Sequence, residues 1–185
     1  RVDWEALLAK VLPYVDFFVP SFEELCFMLD RNRYESLSSQ GGDMTEHIDM
    51  QSDVIPLACK IIEMGCPISF IKCGTKGMAY MTSDRNAILR IGEKLELDAD
   101  AWSQKSGIQP CFKAPVVKSA TGAGDTSIAA FYAAVLEGKS PAECVRLASA
   151  EGACSVTSYD ALGGLKTIEE LEDMISSEIL KEQPV

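Results

Sequence analysis

The 185-residue chain holds a single histidine, His47, and no C-x-x-C pair among its seven cysteines. A zinc site needs several closely spaced imidazole or thiolate ligands, so this composition argues against one. Cys26, Cys59, Cys66, Cys73, Cys111, Cys144 and Cys154 are odd in number and mostly fall inside apolar patterns. They are expected as reduced, buried thiols of a cytoplasmic protein. Basic residues are scarce, 17 against 28 acidic, for a net charge of -11. Phosphate backbones are gripped by clustered Lys and Arg, so nucleic acid is not an expected partner. No apolar run approaches a membrane span and no signal-peptide pattern opens the chain, so no membrane partner is expected either. Internal repeats and clear linkers are missing too, leaving 1–185 as one domain. The first residue is Arg1 rather than Met, which suggests a fragment or a processed chain.

What is present is a globular composition, 47% hydrophobic, with strand and helix patterns in alternation. "DWEALLAKVLPYVD" has helical spacing behind Asp3, and "DFFVP" is a short buried strand. "SFEELCFMLD" opens on a capping box, Ser21 with Glu24. Residues 30–52 lose periodicity and are expected as a loop-rich excursion. "SDVIPLACKIIEMG" is a helix stopped by Gly65. "PISFIKCG" and "GMAYMTS" are strands, followed by "AILRI" as a hairpin or edge strand. Residues 93–114 are polar and irregular, with a turn at Ser106-Gly107. "PVVKS" is a short strand, and a helix follows from about Asp125 to Glu137, stopped by Gly138. Capping boxes at Ser140/Glu143 and Thr167/Glu170 open two more helices. Continuously apolar strands between helices predict an α/β layered fold with a mainly parallel sheet.

The chemistry concentrates in "VVKSATGAGDTSIAAF". Glycines at a strand–helix turn let backbone N–H groups approach an anion, and the helix dipole points at the same place. Gly122, Ala123 and Gly124 are the candidate anion hole. A P-loop is excluded because Asp125, not Lys, follows the last glycine. A dinucleotide fingerprint is disfavoured because Ser127 stands at its third small position and no acid ends a following strand. Asp125 has two readings. It can cap the helix, or it can accept the proton of an alcohol attacking a phosphoryl group while the amides take the developing charge.

"SATGAGDT" resembles the second signature of the ribokinase-like (PfkB) carbohydrate kinases, close to D-T-x-G-A-G-D-x-F. "VPSFEE" resembles their P-N-x-x-E motif, "IKCGTKGMAY" their T-L-G-x-K-G-A strand–turn, and "ASAEGACSVTSYDALGG" their Ala-rich helix and following loop. The four occur in the family's order, from about Val15 to Gly164. The resemblance implies a three-layer ribokinase-like, Rossmann-like α/β fold, incomplete at its amino-terminal side. It implies Asp125 as catalytic base and Gly122, Ala123 and Gly124 as anion hole. It makes Glu24 an organiser of Mg²⁺ and its waters; the capping box with Ser21 is the competing explanation. Gly74, Thr75 and Gly77 would meet the nucleotide, or simply form a hairpin turn. Ser149 falls beside the adenosine or is a small core residue. Ser21 stands at the motif's Asn. Thr121, Ser155, Ser158 and Asp160 lie where some members bind a monovalent cation, K⁺, largely through backbone oxygens.

Three departures stand out: Ser119 for the signature's first Asp, Ser21 for Asn, and Ser127 for Phe. The family's amino-terminal glycine pair, sugar contacts and β-sheet lid are not recognisable, so the chain resembles the carboxy-terminal, nucleotide-side half. The implied activity is ATP-dependent phosphorylation of a sugar or sugar-like hydroxyl, with ATP and Mg²⁺ as cofactors and a homodimer in the full-length protein. The isolated chain is expected to be inactive. The alternatives are a catalytically incompetent nucleotide-binding fragment or degenerate kinase, and an α/β structural or dinucleotide-binding protein.

Overall fold

The computed structural model describes residues 2–183, the side chains of 92–94 excepted. Asp3 caps α1 (Trp4–Val11) by accepting from the Ala6 amide at 3.0 Å. β1 (Phe17–Phe18) leads into α2 (Phe22–Leu29), whose capping box is complete, and then into α3 (Arg31–Ser38). α4 (Ile55–Glu63) is preceded by a π turn at Met50–Val54. β2 (Ile68–Lys72) and β3 (Met78–Thr82) are joined through a 3₁₀ turn at Gly74–Lys76. There follow α5 (Arg85–Leu95), α6 (Ala99–Trp102), β4 (Ser106–Gln109), α7 (Ala123–Leu136), α8 (Pro141–Ser155) and α9 (Ile168–Ser176).

The strands pair in the order β1-β2-β3-β4. Strand alternation sends Ile68 and Phe70 to one face of the sheet and Ile71 to the other. On the first face they join Ile88, Trp102, Phe131, Val145 and Leu171 from α5–α9. On the second, Ile71 and Ala79 join Leu8, Phe22, Leu25, Val54 and Ile61 from the amino-terminal helices. The result is three layers, helix–sheet–helix, with β2 buried from Ile68 to Ile71 because both of its faces are covered. Phe131 of α7 stacks on Phe70 at 4.8 Å between ring centroids, and Phe17 and Trp102 close edge-on around Phe131. Offset or edge-on rings of this kind add about 1 kcal/mol each beyond their burial.

Several expectations need correction. The sheet is mixed: β1 runs parallel to β2, but β2–β3 and β3–β4 are antiparallel. A three-residue turn cannot return a chain in parallel, so the short β2–β3 link dictates the direction. "AILRI" lies in a helix, α5, because Asp84 caps it through the Ala87 amide at 2.9 Å and Ala87, Ile88 and Ile91 share its buried face. "PVVKS" forms no strand; the Lys118 and Ser119 amides donate to the Val156 carbonyl at the end of α8 instead. Residues 30–52 contain α3, held by the Asp30 cap and by a two-point Arg33–Asp53 pair. Ser106-Gly107 sits in β4 rather than a turn. Gly107 leaves room there for the Tyr80 ring, whose outer edge a Cβ would meet at 2.7 Å. Five of the seven unpaired cysteines are buried, and Cys59 and Cys111 half-buried.

Candidate active site

α7 starts two residues earlier than expected, at Ala123, and its N-cap is Gly122 rather than Asp125. Gly122 has φ +84, a left-handed conformation that a side chain would strain. It also has no room for one: a Cβ would lie 2.5 Å from the Ala161 side chain. That contact seats the loop after α8 directly on the glycine turn. The Ala123 amide donates to the Ala120 carbonyl at 3.2 Å. The amides of Gly124 and Asp125, the next two of the helix start, have no partner among the described residues. They are the donors left open to an anion, at the positive end of a 14-residue helix.

Asp125 therefore does not cap α7. It occupies the first turn, exposed, and its carboxylate accepts no hydrogen bond among the described residues. A carboxylate not committed to the backbone is free to take a proton from something that docks beside it.

Glu24 stands in the first turn of α2, on the segment that follows β1. Its Oε2 accepts from the Ser21 amide at 2.9 Å, and Ser21 Oγ accepts from the Glu24 amide at 3.2 Å. So the capping box exists, and it leaves Glu24 Oε1 without a hydrogen bond among the described residues. The Ser21 amide and hydroxyl hold the Glu24 carboxyl below its usual range, opposed by burial and helped by the charge of Lys72. The two readings of Glu24 are compatible: one oxygen closes the helix, the other remains available to a hydrated cation.

Sequence reasoning missed Lys72. It ends β2, bridges Ser21 in parallel, and donates its amide to the Pro20 carbonyl at 3.0 Å. Its Nζ lies 3.5 Å from where a Cβ on Gly124 would stand. The only advance signal was a lone cation closing the apolar run "PISFI".

The Gly74–Lys76 turn is fixed by close approach. Gly77 has φ +97, and a Cβ there would stand 2.1 Å from the Gln109 carbonyl oxygen. A Cβ on Gly74 would stand 2.6 Å from Thr45 Oγ1, so the 44–47 turn packs against it. Thr75 is exposed at the tip. Ser149 is buried, 2% exposed, and its hydroxyl donates to the Pro110 carbonyl at 3.1 Å. It is satisfied inside the fold, tying α8 to the segment that Gly77 touches.

Ser158 and Asp160 form a tight turn. Asp160 accepts from Ser158 Oγ at 3.1 Å and from the amides of Leu162 and Gly163. These bonds hold its carboxyl below the usual range, the Leu162 amide first. Ser155 Oγ is buried and has no partner among the described residues. Thr121 donates its amide to Ser119 Oγ at 3.1 Å, so Ser119 keeps a local turn bond where the family has Asp. Ser127 is buried against α8, its hydroxyl on the Ala123 carbonyl at 2.7 Å. A Cβ on Gly152 would meet that hydroxyl at 2.7 Å, so the small Ser127–Gly152 pair lets α7 and α8 pack closely. No group of three or more His, Cys, Asp or Glu side chains suited to a metal occurs among the described residues.

The three-layer α/β frame brings the glycine-opened start of α7, the Lys72 ammonium and the Glu24 carboxylate to one end of its strands. The chain belongs to the pfkB family of carbohydrate kinases, whose model matches residues 2–168. Over 56 residues it is 45% identical to a ribokinase of Bacillus subtilis (strain 168), covering 30% of this chain and 19% of that protein. The structure of Arabidopsis thaliana ribokinase complexed with ribose and ATP matches with a TM-score of 0.63 at 23% identity, over 90% of this chain and 43% of that one. A ribokinase II from E. coli in complex with ATP and Mg²⁺ matches with a TM-score of 0.58 at 21% identity, over 93% of this chain and 42% of that one. The chain thus spans less than half the length of these relatives. Among the described residues no helix is long and apolar enough to cross a membrane.

Proposed function

We propose that this chain is the phosphate-side part of an ATP-dependent carbohydrate kinase, transferring the γ-phosphoryl group of ATP to a sugar or sugar-like hydroxyl. Family membership supports the reaction class, and relatives of this fold have been seen with ribose and ATP or with ATP and Mg²⁺. The observation that carries the reading is the start of α7. An exposed, uncommitted carboxylate at Asp125 follows directly on the open amide of Gly124. The hydroxyl oxygen attacks the γ-phosphorus, the bond to the bridging oxygen breaks to leave ADP, and Asp125 takes the hydroxyl proton. The open amides meet the charge that grows on the transferred group. Gly74, Thr75 and Gly77 form the turn on the nucleotide side, with Ser149 holding the neighbouring segment in place.

Glu24 fits Mg²⁺ held through water, because its carboxyl is kept ionised and one oxygen is free. Bound there, Mg²⁺ would neutralise phosphate charge. A monovalent cation such as K⁺ would rest between Thr121 and the Ser155–Asp160 loop through backbone oxygens, since the Asp160 carboxylate is already occupied by its own turn.

In the full-length protein, Asp125→Asn is expected to lower kcat by about 10²–10⁴, the usual worth of a positioned general base, with ATP affinity little changed. Wild-type turnover in that variant would refute the assignment. A second reading rests on the chain's span. At less than half the length of its relatives, it is a nucleotide-binding unit that performs no transfer by itself.

A further inference from the structure

Lys72 is a cation brought to the glycine turn by the strands rather than by the turn itself. Its backbone is fixed on both sides, against Ser21 and Pro20 on one flank and opposite Met78 of β3 on the other. The side chain is half-buried and reaches the Gly124 backbone, where a Cβ would come within 3.5 Å of Nζ. Among the described residues its ammonium makes no hydrogen bond and no ion pair within 4.0 Å. Its charge is nonetheless felt at Glu24, which lies across from it. The Gly124 residue that Lys72 approaches is also one whose amide has no partner among the described residues, so an ammonium and an open amide meet at the start of α7.

We propose that Lys72 binds the transferred γ-phosphoryl group directly, making it a catalytic residue of the phosphoryl transfer. This rests on the kinase reading above and deepens it. The anion hole then consists of two backbone donors and one mobile full charge, not of the glycine amides alone. As the oxygen–phosphorus bond to the sugar hydroxyl forms and the bond to the bridging oxygen breaks, Lys72 stays on the phosphoryl oxygens. The leaving electron pair goes to ADP, and the hydroxyl proton goes to Asp125. Lys72 neither gives nor takes a proton.

The test uses the full-length protein and the variants Lys72→Met and Lys72→Arg. Turnover is measured on a panel of sugars and nucleosides, and calorimetry measures ADP and a non-hydrolysable ATP analogue, each with Mg²⁺. Lys72→Met is expected to lose about 100-fold in kcat, as when one oxyanion donor is removed. Its preference for the triphosphate analogue over ADP should fall about tenfold while ADP affinity stays within about threefold. Lys72→Arg should recover part of the preference by keeping the charge. Unchanged kcat and unchanged preference in Lys72→Met would overturn the proposal, as would equal losses for ADP and the analogue. A wild-type protein that phosphorylates nothing on the panel, yet prefers the triphosphate through Lys72, refutes the kinase reading and leaves Lys72 as a γ-phosphate ligand. If the wild type binds neither nucleotide, both fall.

Discussion

Glu151 sits on α8 with 1% of its surface exposed, and only one of its oxygens is satisfied. Oε2 accepts from the Lys166 amide at 3.2 Å; Oε1 has no partner among the described residues. Burial pushes its carboxyl up to about 7, against the pull of the Lys166 amide and charge, with Glu170 adding to the rise. The unfolded chain would titrate it near 4.5. Between those two values the folded state holds more protons than the unfolded one, so this group's contribution is full below pH 4.5. It is lost as pH rises through 7, by roughly 3 kcal/mol in total. Glutamine mimics the neutral acid. Glu151→Gln should therefore match the wild type near pH 4.5 in urea unfolding and exceed it by a few kcal/mol at pH 8. The paired carboxylates Glu24 and Glu143 are common to both proteins and cancel in the difference. An identical gap between the two proteins at both pH values would rule this out.

At the scale of elements, the glycine turns show how much depends on space as well as on φ. Gly77 (φ +97) and Gly138 (φ +75) both adopt conformations that favour glycine. Nothing lies within 4 Å of a Cβ on Gly138, whereas one on Gly77 would meet the Gln109 carbonyl oxygen at 2.1 Å and the Cys111 amide nitrogen at 2.8 Å. Gly138→Ala should cost about 1–2 kcal/mol from the conformation alone. Gly77→Ala should cost about 3 kcal/mol or more, because β4 must move away from β3. Urea midpoints would measure both, and equal losses would show that the backbone at 109–111 gives way freely. These elements were unequally legible. The three capping boxes at Ser21, Ser140 and Thr167 all form as the spacing predicts, since a cap is local chemistry. The "AILRI" segment is ambiguous because five residues with apolar and polar positions mixed fit either period, and the Asp84 cap that decides for helix lies outside it. α3 was hidden because Leu37 is its only buried side chain. The start of α7 was legible as a motif, but its donors were not. That the Ala123 amide is spent on Ala120, and that Lys72 arrives from 50 residues earlier, are facts of tertiary structure. Asp125 was recognised without its cap role being decided, and the structure gives that role to Gly122.

For the whole molecule, the question is what a chain of this extent can do alone. Its sheet is covered on both faces by helices, with separate cores built around Phe70 and Ile71. It spans 43% of the Arabidopsis ribokinase chain and 42% of the E. coli one. Every group invoked for the phosphates — Glu24, Lys72, the Gly124 and Asp125 amides — belongs to this chain and gathers at one end of β1 and β2. On the reading proposed above, these groups suffice to bind a nucleoside triphosphate, and none of them positions a sugar hydroxyl. The 185-residue chain by itself should bind ATP–Mg²⁺ without phosphorylating any sugar. At ATP–Mg²⁺ about 100-fold above its dissociation constant, the linkage is about 2.7 kcal/mol. For a domain of this size that raises the melting temperature by about 5–10 °C. NAD should raise it by less than about 1 °C, because Ser127 interrupts the glycine fingerprint and no acid stands ready for a ribose. A thermal-shift comparison of the two ligands decides it. Stabilisation by NAD alone would mean that the turn at Gly122 serves a dinucleotide, and the phosphoryl-transfer roles of Asp125 and Lys72 would be withdrawn together.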